Sequence, residues 1–445
     1  MPIQFDPPSG TRDFLAADVE VRERAFAAIR GSFARYGFEP LQTPAFERLE
    51  VLLGKYGEEG DKLIFKILRR GEHEASGEAD LALRYDLTVP LARVAAAYGS
   101  QLPTPYKRYA IGPVWRADRP GRGRYREFIQ CDLDTLGSTS AMADAEVICA
   151  VHDTLAELGV PGFRVLLNSR RVLAGLLEAF GVPADLGPDV LIALDKLDKL
   201  APAEVTAELT GRGLDQGKAA ELVAAMTAPD AAERIRAALK PSEEGSAGLD
   251  EIDAMLSLVA GQLPADRVEF TPRLVRGLSY YTGPIWEVAA QGVPGSIAGG
   301  GRYDHLIEQA GGPDVPATGG SLGIERILLL LPGSDSGRPS RLDVAVTVMA
   351  PEYAPRSFAL ASAARTAGLR SSVYLGSSGK LGRQLKWASD QGARWALISG
   401  AAEQEAGTVT VRDMNSGEQA AVLVPELAGH MRRVAAGGTA EGGVG

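Results

Sequence analysis

The chain has 445 residues, of which 45% are hydrophobic and 23% charged, a composition typical of a globular protein with two or three domains. Its two cysteines and four histidines do not occur at zinc-ligand spacing, so we expect neither a disulfide framework nor a zinc site. No apolar run approaches the roughly 20 residues that a membrane-spanning helix needs, and no signal-peptide pattern is present. A cytoplasmic protein without a membrane partner is the resulting expectation.

The formal charge of -10 is unevenly distributed. From Arg341 to Arg432, ten Lys or Arg residues stand against eight Asp or Glu residues, so this stretch is slightly basic within an acidic chain. Because binding to nucleic acid depends on where cations cluster, the acidic total does not exclude a nucleic-acid partner.

Sequence patterns predict the secondary structure of successive segments in the first two thirds of the chain. Helical spacing over residues 17–36 is followed by a strand that ends near Pro44. Residues 45–137 have the patterns of strands and short helices in an antiparallel sheet, and residues 139–159 those of a helix. Residues 183–259 are rich in Ala, Leu, Glu, Lys and Asp at helical spacing, which predicts a helical insertion.

The C-terminal third alternates between strand and helix patterns after a Pro- and Gly-rich stretch at residues 331–339. Helices are predicted near Ser357–Thr366 and Gly382–Gln391. This alternation predicts a small α/β domain with a mainly parallel sheet over residues 341–432. Residues 433–445 are of low complexity and are predicted to be a disordered tail.

The segment from Lys107 to Arg126 contains seven basic residues, with only Asp118 and Glu127 as acidic neighbours. Apolar and β-branched residues on either side of residues 119–123 predict two antiparallel strands and a loop. Because strand side chains alternate faces, one face of the second strand has arginines at one end and polar or acidic groups at the other. This face carries Arg124, Arg126, Phe128, Gln130, Asp132 and Asp134. It can bind a polyphosphate beside a small polar ligand, but a solvated hairpin explains this segment alone equally well.

Several distinctive sequence blocks follow one another along the chain: SGTRDFL at residues 9–15, the predicted hairpin at residues 106–137, LVRGLSYYTG at residues 274–283, SIAGGGRYD at residues 296–304 and GGSLGIERILLLL at residues 319–331. These blocks, in this order, resemble those of the class II aminoacyl-tRNA synthetases, and specifically of the histidyl-tRNA synthetases. Residues 106–137 resemble motif 2, residues 274–283 and 296–304 the two histidine-specific motifs, and residues 319–331 motif 3. The resemblance covers nearly the whole chain.

The resemblance implies a fold and an activity. The fold is an α+β class II catalytic domain over residues 1–333, an antiparallel sheet flanked by helices with the insertion at 183–259, followed by an α/β anticodon-binding domain over residues 341–432. The helix at residues 17–36 and the strand after it resemble motif 1, which forms the homodimer interface in that family. The implied reaction attaches L-histidine to tRNA(His) through histidyl-adenylate, with ATP and Mg²⁺.

The resemblance also assigns ATP-binding residues. Arg116 binds the α-phosphate and the carboxylate of the amino acid, Arg124 binds the γ-phosphate, and Arg326 stacks on adenine, with Gly320 and Gly323 leaving room for the ring. Each arginine alone is as readily explained by a surface ion pair. Attack of a carboxylate on the α-phosphate, however, needs positioned cations, and the joint pattern fits that need.

The first histidine-specific motif supplies further residues. Arg276 is implied to be catalytic, stabilising the charge of the α-phosphate. Tyr280 and Tyr281 are implied to close the imidazole pocket, although one ring of the pair is as readily explained as a packed aromatic. Ser279 departs from the acidic or amide residue that is most common in the family.

The remaining histidine-binding residues come from two segments. Asp86 and Thr88 are implied to hold the α-amino group, and they share one face if the backbone is extended, although Thr88 also suits a helix N-cap. Gln130 and Asp134 are implied to bind the amino group and the imidazole. Gly299–Gly301 suits a tight turn on its own and is implied to form the crowded floor of the pocket.

In the C-terminal domain, Lys380, Arg383 and Lys386 recur every third residue and lie along one face of a predicted helix. A solvated face is the ordinary explanation of such a charge run. The resemblance implies instead that these residues contact tRNA phosphates.

Two other functions fit parts of this pattern. One is an inactive paralogue that serves as the regulatory subunit of ATP phosphoribosyltransferase, but that family usually lacks the anticodon domain and has a degraded motif 3. The other is a tRNA- or histidine-sensing domain like that of a nutrient-stress kinase, but the chain has no kinase signature and keeps its reactive arginines.

Overall fold

The computed structural model describes residues 5–71, 76–275, 280–331 and 342–436, apart from the side chains of Glu58 and Glu59. The chain divides into two compact units, residues 1–334 and 335–445. Among the described residues, no helix is both long and apolar enough to cross a membrane.

The first unit combines helices of varied length with mostly short strands. Its helices are α1 (Ala16–Arg35), α2 (Leu49–Leu52), α3 (Gly57–Asp61), α4 (Thr88–Tyr98), α5 (Ala141–Glu157), α6 (Arg170–Ala179), α7 (Gly187–Leu194), α8 (Pro202–Gly211), α9 (Gln216–Thr227), α10 (Ala231–Leu239), α11 (Glu243–Val259), α12 (Leu306–Gln309) and α13 (Ile324–Ile327). Its strands are β1 (Glu39–Pro40), β2 (Phe46–Arg48), β3 (Lys66–Leu68), β4 (Ala79–Leu83), β5 (Tyr106–Trp115), β6 (Glu127–Leu136), β7 (Arg164–Ser169), β8 (Val268–Phe270), β9 (Pro284–Ala289), β10 (Ala298–Arg302) and β11 (Ala317–Gly323).

An eight-stranded sheet forms the centre of this unit, in the order β1-β5-β6-β11-β10-β9-β7-β8. Its pairings are antiparallel except for β1 with β5 and β7 with β8 at the two edges. Strands β2, β4 and β3 form a separate small sheet. The architecture is the antiparallel sheet with flanking helices that the sequence predicts.

The β5–β6 hairpin separates the two faces of the large sheet. Cys131 and Leu133 belong to the apolar core, together with Phe33 of α1 and Val151 of α5. The polar residues that alternate with them along β6 lie on the other face, as strand geometry requires. The apolar face thus anchors the sheet on its helices and leaves the opposite face for a site.

Glycines allow α6 and α11 to pack closely in the helical part of this unit. A Cβ atom at Gly175 would lie 2.3 Å from the Cα of Gly245, and one at Gly248 would lie 2.5 Å from the backbone nitrogen of Val172. Ser242 caps α11 by accepting a hydrogen bond from the backbone N–H of Gly245. Glycine at these positions therefore allows the two helices to contact each other closely.

The second unit is an α/β domain with its own core. Its elements are β12 (Val344–Val346), α14 (Ala354–Thr366), β13 (Ser371–Val373), α15 (Leu381–Asp390), β14 (Trp395–Ile398), α16 (Ala401–Glu405), β15 (Thr408–Asp413), β16 (Gln419–Leu423) and α17 (Leu427–Ala435). The prediction of a mainly parallel sheet is wrong in detail. The order is β13-β12-β14-β15-β16, with two parallel pairings followed by two antiparallel ones. The antiparallel part consists of β15, which runs antiparallel to β14, and the unpredicted β16, which forms a hairpin with β15.

Candidate active site

An open cavity of about 660 Å³ lies on the polar face of the eight-stranded sheet. Its lining includes residues that the sequence assigned to the amino acid and to ATP: Asp86, Thr88, Arg116, Arg124, Gln130, Asp134, Tyr280, Tyr281, Gly320, Gly323 and Arg326. Of the glycines assigned to the pocket floor, Gly299 and Gly300 line the cavity and Gly301 does not. Arg276 and Ser279 lie outside the described residues, so the role of Arg276 stays a prediction.

Asp86 forms part of the buried floor, with 1% of its surface exposed. Its Oδ1 accepts hydrogen bonds from the Tyr56 hydroxyl and from the backbone N–H groups of Thr88 and Val89, at 3.0–3.2 Å. Its Oδ2 has no hydrogen-bond partner among the described residues. Burial raises the pKa of Asp86, whereas the backbone N–H of Val89 and the guanidinium of Arg116 lower it.

The backbone around Thr88 decides between the two arrangements considered from the sequence. Leu87 has helical angles and α4 begins at Thr88, so Asp86 and Thr88 do not share the face of an extended segment. The helix N-terminus is capped by the carboxylate of Asp86 and not by the Thr88 hydroxyl. Both residues still line the cavity.

Asp134 lies directly opposite Arg108 across the β5–β6 pair. Its Oδ2 is 2.8 Å from Nη2 of Arg108, a guanidinium with no exposed surface, and its Oδ1 accepts a hydrogen bond from the Tyr303 hydroxyl. A Cβ atom at Gly319 would lie 2.0 Å from Oδ1, so only glycine leaves space for this carboxylate. Burial raises the pKa of Asp134, and Arg108 opposes that shift.

Gln130 and Asp132 contribute further acceptor atoms to this end of the site. The amide nitrogen of Gln130 donates to the Ser321 hydroxyl at 2.8 Å, and its Oε1 has no hydrogen-bond partner among the described residues. Both carboxylate oxygens of Asp132 are also buried without a hydrogen bond in the described structure. Burial raises the pKa of Asp132 to about 7, although the charge of Arg108 acts in the opposite direction.

Two buried residues at this end, Arg108 and Asp132, have no role in the sequence-based assignment. Only Asp132 has a signal in the sequence, since it shares a face of β6 with Gln130 and Asp134 and alternates with the apolar Cys131 and Leu133. The sequence alone does not show that the two strands place them side by side.

Tyr280 and Tyr281 form a wall of the cavity and also pack against other rings. Tyr280 makes edge contacts with Tyr281 and Tyr303, with ring centroids 5.1 and 5.8 Å apart. Burial raises the pKa of both hydroxyls, so both are neutral at physiological pH. Packing and wall formation thus coexist in this pair.

Arg116 lines the cavity beside two aromatic rings. Its Nε donates to the carbonyl oxygen of Tyr85 at 3.1 Å, and its guanidinium lies 4.3 Å from the ring centre of Tyr85 and 5.2 Å from that of Phe128. Among the described residues, no carboxylate lies within 4.0 Å of this guanidinium. An arginine held by a carbonyl and aromatic faces keeps its charge available for an anion.

Arg124 and Arg326 lie at the same end. Arg124 is exposed, and its Nη2 is 2.8 Å from Oδ1 of Asp118. Nη1 of Arg326 donates to the Ser296 carbonyl at 2.6 Å, and its Nε donates to the Gly123 carbonyl at 3.4 Å. These contacts join motif 3 to the tip of the motif 2 loop.

Glycine at position 320 also makes room for a side chain of the protein itself. A Cβ atom at Gly320 would lie 2.3 Å from Cζ2 of Trp286, and one at Gly300 would lie 2.6 Å from the same atom. The two glycines therefore make room for the Trp286 indole. Gly323 is less constrained, because its Cβ atom would first meet the Ile297 carbonyl at 3.4 Å.

Comparison with known proteins decides the family. A family model described as Histidyl-tRNA synthetase matches residues 10–327, and one described as Anticodon binding domain matches residues 343–433. The chain belongs to the histidyl-tRNA synthetase family. The predictions of a class II aminoacyl-tRNA ligase and of its two-part fold are thereby confirmed.

Individual relatives agree with this assignment. The chain is 40% identical to a histidine–tRNA ligase of Ruegeria pomeroyi, covering 94% of this chain and 90% of the relative, and 40% identical to that of Gloeobacter violaceus, covering 92% and 94%. The crystal structure of histidyl-tRNA synthetase from Nostoc matches 97% of this chain and 100% of that chain, with a TM-score of 0.78 and 28% identity.

The anticodon-binding unit of this histidyl-tRNA synthetase family member presents the predicted basic helix. Lys380, Arg383 and Lys386 are exposed at the start and along one side of α15. Among the described residues, none of the three has a carboxylate within 4.0 Å. Gln384, on the opposite side, is fully buried and hydrogen-bonds the backbone of Val348, which fixes the orientation of the helix.

Potential metal ligands of the described residues converge in one place only. His305, Glu308 and Asp314 have ligand atoms within 4.8 Å of one another, and all three are exposed. No cysteine belongs to this group, and exposed side chains of this kind are commonly metal-free.

Proposed function

We propose that this chain attaches L-histidine to tRNA(His) in two steps at the cavity on the large sheet. The observation that carries the proposal is the division of the cavity into an end with buried acceptor atoms and an end with cations, in a member of the histidyl-tRNA synthetase family. The acceptor end suits an ammonium and an imidazole, and the cationic end suits a triphosphate.

In this proposal the α-ammonium group of histidine binds at Asp86 and Gln130. Each residue has one buried oxygen without a hydrogen-bond partner in the described structure, and Thr88 lines the cavity beside them. A buried acceptor without a hydrogen-bond partner destabilises the folded protein, and a ligand that donates a hydrogen bond to it removes this cost. Three donors of an ammonium group can satisfy both oxygens.

The imidazole of histidine binds at Asp134 in the same proposal. The Arg108 guanidinium and the Tyr303 hydroxyl hold this carboxylate in place, so it can accept a hydrogen bond from a ring N–H. Tyr280 and Tyr281 then close the side of the pocket around the ring. A buried fixed acceptor discriminates strongly against side chains that lack a matching donor.

ATP binds at the cationic end. Arg116 contacts the α-phosphate and the histidine carboxylate, Arg124 contacts the γ-phosphate, and Arg326 stacks on adenine beside Gly323. Mg²⁺ enters with ATP and neutralises phosphate charge. Glu287 lines the same cavity and offers the type of oxygen ligand that Mg²⁺ takes.

The reaction follows from this placement. A carboxylate oxygen of histidine attacks the α-phosphorus, the bond to the β-phosphate oxygen breaks, and pyrophosphate leaves. A ribose hydroxyl at the 3′ end of tRNA then attacks the carbonyl carbon of histidyl-adenylate, and AMP leaves. Arg116, and Arg276 as predicted from its motif, stabilise the charge on the α-phosphate during the first step.

The experiment that tests this function is histidine-dependent exchange of pyrophosphate into ATP, repeated with each of the other amino acids. We expect exchange with histidine alone, followed by charging of tRNA(His). Exchange with a different amino acid would overturn the substrate assignment. No exchange with any amino acid, combined with retained histidine binding, would favour the inactive regulatory paralogue.

The partners and location follow from the same proposal. The tRNA phosphates bind the basic face of α15, the homodimer forms through α1 and β1, and the enzyme works in the cytoplasm, where tRNA is charged. No zinc is required, so treatment with a zinc chelator in excess Mg²⁺ leaves exchange unchanged.

The basic face of α15 has its own test. Replacing Lys380, Arg383 and Lys386 together by Gln removes phosphate contacts, so we expect a higher KM for tRNA and a weaker dependence of that KM on salt. The KM values for ATP and histidine stay within about twofold of the unsubstituted enzyme, since these ligands bind in the other unit. Normal charging across a salt series would show that this face is only solvated.

A further inference from the structure

The N-terminal segment Ser9–Phe14 lies against two parts of the ATP-binding end. One is the motif 2 loop, residues 116–126, which carries Arg124. The other is α13, which carries Arg326. We call this segment the N-terminal strap.

Two backbone carbonyl groups of the strap accept hydrogen bonds from Arg126 of the loop. The backbone N–H of Arg126 donates to the Gly10 carbonyl at 2.7 Å, and its guanidinium donates to the Ser9 carbonyl at 3.3 Å. Gly10 has a φ of +86°, and a Cβ atom there would lie 2.8 Å from Cγ of Arg126 and 3.0 Å from Cγ of Pro120. Both the backbone conformation and the space therefore favour glycine at this contact.

Arg12 connects the loop to α13. Its guanidinium lies 3.7 Å from the ring centre of Tyr125, the neighbour of Arg124, and its Nη2 is 2.5 Å from Oε2 of Glu325, the neighbour of Arg326. A planar guanidinium can stack on a ring and bind a carboxylate at the same time, which an ammonium group cannot do.

Glu325 also forms an ion pair with a second arginine, Arg22. Both of its carboxylate oxygens accept from Arg22 of α1, each at 2.9 Å, and only 6% of its side chain is exposed. Because Arg22 already pairs with this buried carboxylate, the charge of Glu325 does not depend on Arg12 alone. Arg12, with 37% of its side chain exposed, is therefore suited to positioning the loop more than to stabilising the core.

We propose that Arg12 is a positioning residue for ATP, acting through Tyr125 and Glu325. By tying the motif 2 loop to α13, it sets the separation between the phosphate-binding Arg124 and the adenine-binding Arg326. Arg12 does not line the cavity, so its proposed effect on ATP is indirect. This inference rests on the proposed function, because it concerns the same site and the same reaction.

The test measures pyrophosphate exchange for the full chain and for Arg12→Ala, with Arg234→Ala as the matched control. Arg234 is also exposed and paired with a carboxylate, that of Asp230, but it lies in α10, outside the cavity lining. We expect Arg12→Ala to raise the KM for ATP about tenfold, while the KM for histidine changes less than about twofold. Arg234→Ala leaves both constants unchanged.

Two further variants separate positioning from folding. Arg12→Lys keeps the charge near Glu325 but loses the planar stack on Tyr125, so we expect only partial recovery of the KM for ATP. Tyr125→Leu should raise the same constant, and adding it to Arg12→Ala should give little further loss, because both changes break one connection.

The proposal is overturned by an unchanged KM for ATP in Arg12→Ala, by an equal rise in both Michaelis constants, or by additive losses in the double variant. Unfolding of Arg12→Ala at the assay temperature would also overturn it, since a purely structural role would then explain the loss. An unsubstituted chain without histidine-dependent exchange would instead refute the proposed function.

Discussion

The two ends of the active-site cavity are built in different ways. The histidine end consists of side chains on β5, β6 and the start of α4, and Asp86, Arg108, Asp132 and Asp134 are all at least 98% buried there. The ATP end consists of arginines that are partly or fully exposed: Arg116 and Arg124 belong to the motif 2 loop, and Arg326 contacts it. The histidine end is thus set when the protein folds, whereas the ATP end depends on how loops are held.

Burial explains why the two ends differ in this way. A small ligand with few polar groups is recognised best by fixed, desolvated partners, because a missing hydrogen bond costs more free energy in a buried site than in water. A triphosphate is large and strongly hydrated, and it carries enough charge to recruit exposed cations from flexible positions. The comparison predicts larger losses from substitutions at the buried end than at the exposed end.

The largest effect is expected for Asp134→Asn. This change leaves Arg108 buried without its ion-pair partner at 2.8 Å and removes the acceptor proposed for imidazole. We expect kcat/KM for histidine in the exchange reaction to fall by about 1,000-fold or more, with a smaller change in the KM for ATP. Glu157→Gln, which breaks an exposed ion pair with Arg35, is the control and should leave kcat/KM for histidine unchanged. A loss below tenfold would contradict a special role of the buried end.

A smaller effect is expected for Arg124→Ala at the exposed end. Water screens this arginine, and the other cations remain, so we expect the KM for ATP to rise about tenfold while the KM for histidine is retained. Arg119→Ala, an exposed arginine of the same loop without an assigned role, is the control. If both variants behaved alike, the loop would act through its total charge and not through the position of Arg124.

The smallest effect is a change in how stability depends on pH. The pKa of Asp132 is about 7 in the folded chain and about 3.8 for a free side chain, so between these values the folded state keeps a proton that the unfolded state releases. Stability from this group therefore falls as pH rises from about 4 to 7. Asp132→Asn should make the melting temperature less sensitive to pH between about pH 4 and 7. Parallel pH profiles of the two proteins would show that Arg108 keeps Asp132 ionised throughout.

The sequence determined the elements that depend on local patterns. The long helix α1, the β5–β6 hairpin and helix α15 follow from periodicity, because the face of a side chain is set by its position along a helix or strand. The same rule placed Gln130, Asp132 and Asp134 on one side of β6. The short hairpin strand β16 was missed, since its exposed and weakly alternating residues carry little local signal.

Only the tertiary structure decided which groups meet. Asp86, and not Thr88, caps α4; Arg108 faces Asp134 across two strands; and Gly320 is required by the Trp286 indole. Arg12 likewise meets Tyr125 and Glu325 from a segment more than 100 residues away in sequence. Periodicity fixes the direction of a side chain, but its partner depends on strand pairing and loop packing, which bring together distant residues that no local pattern relates.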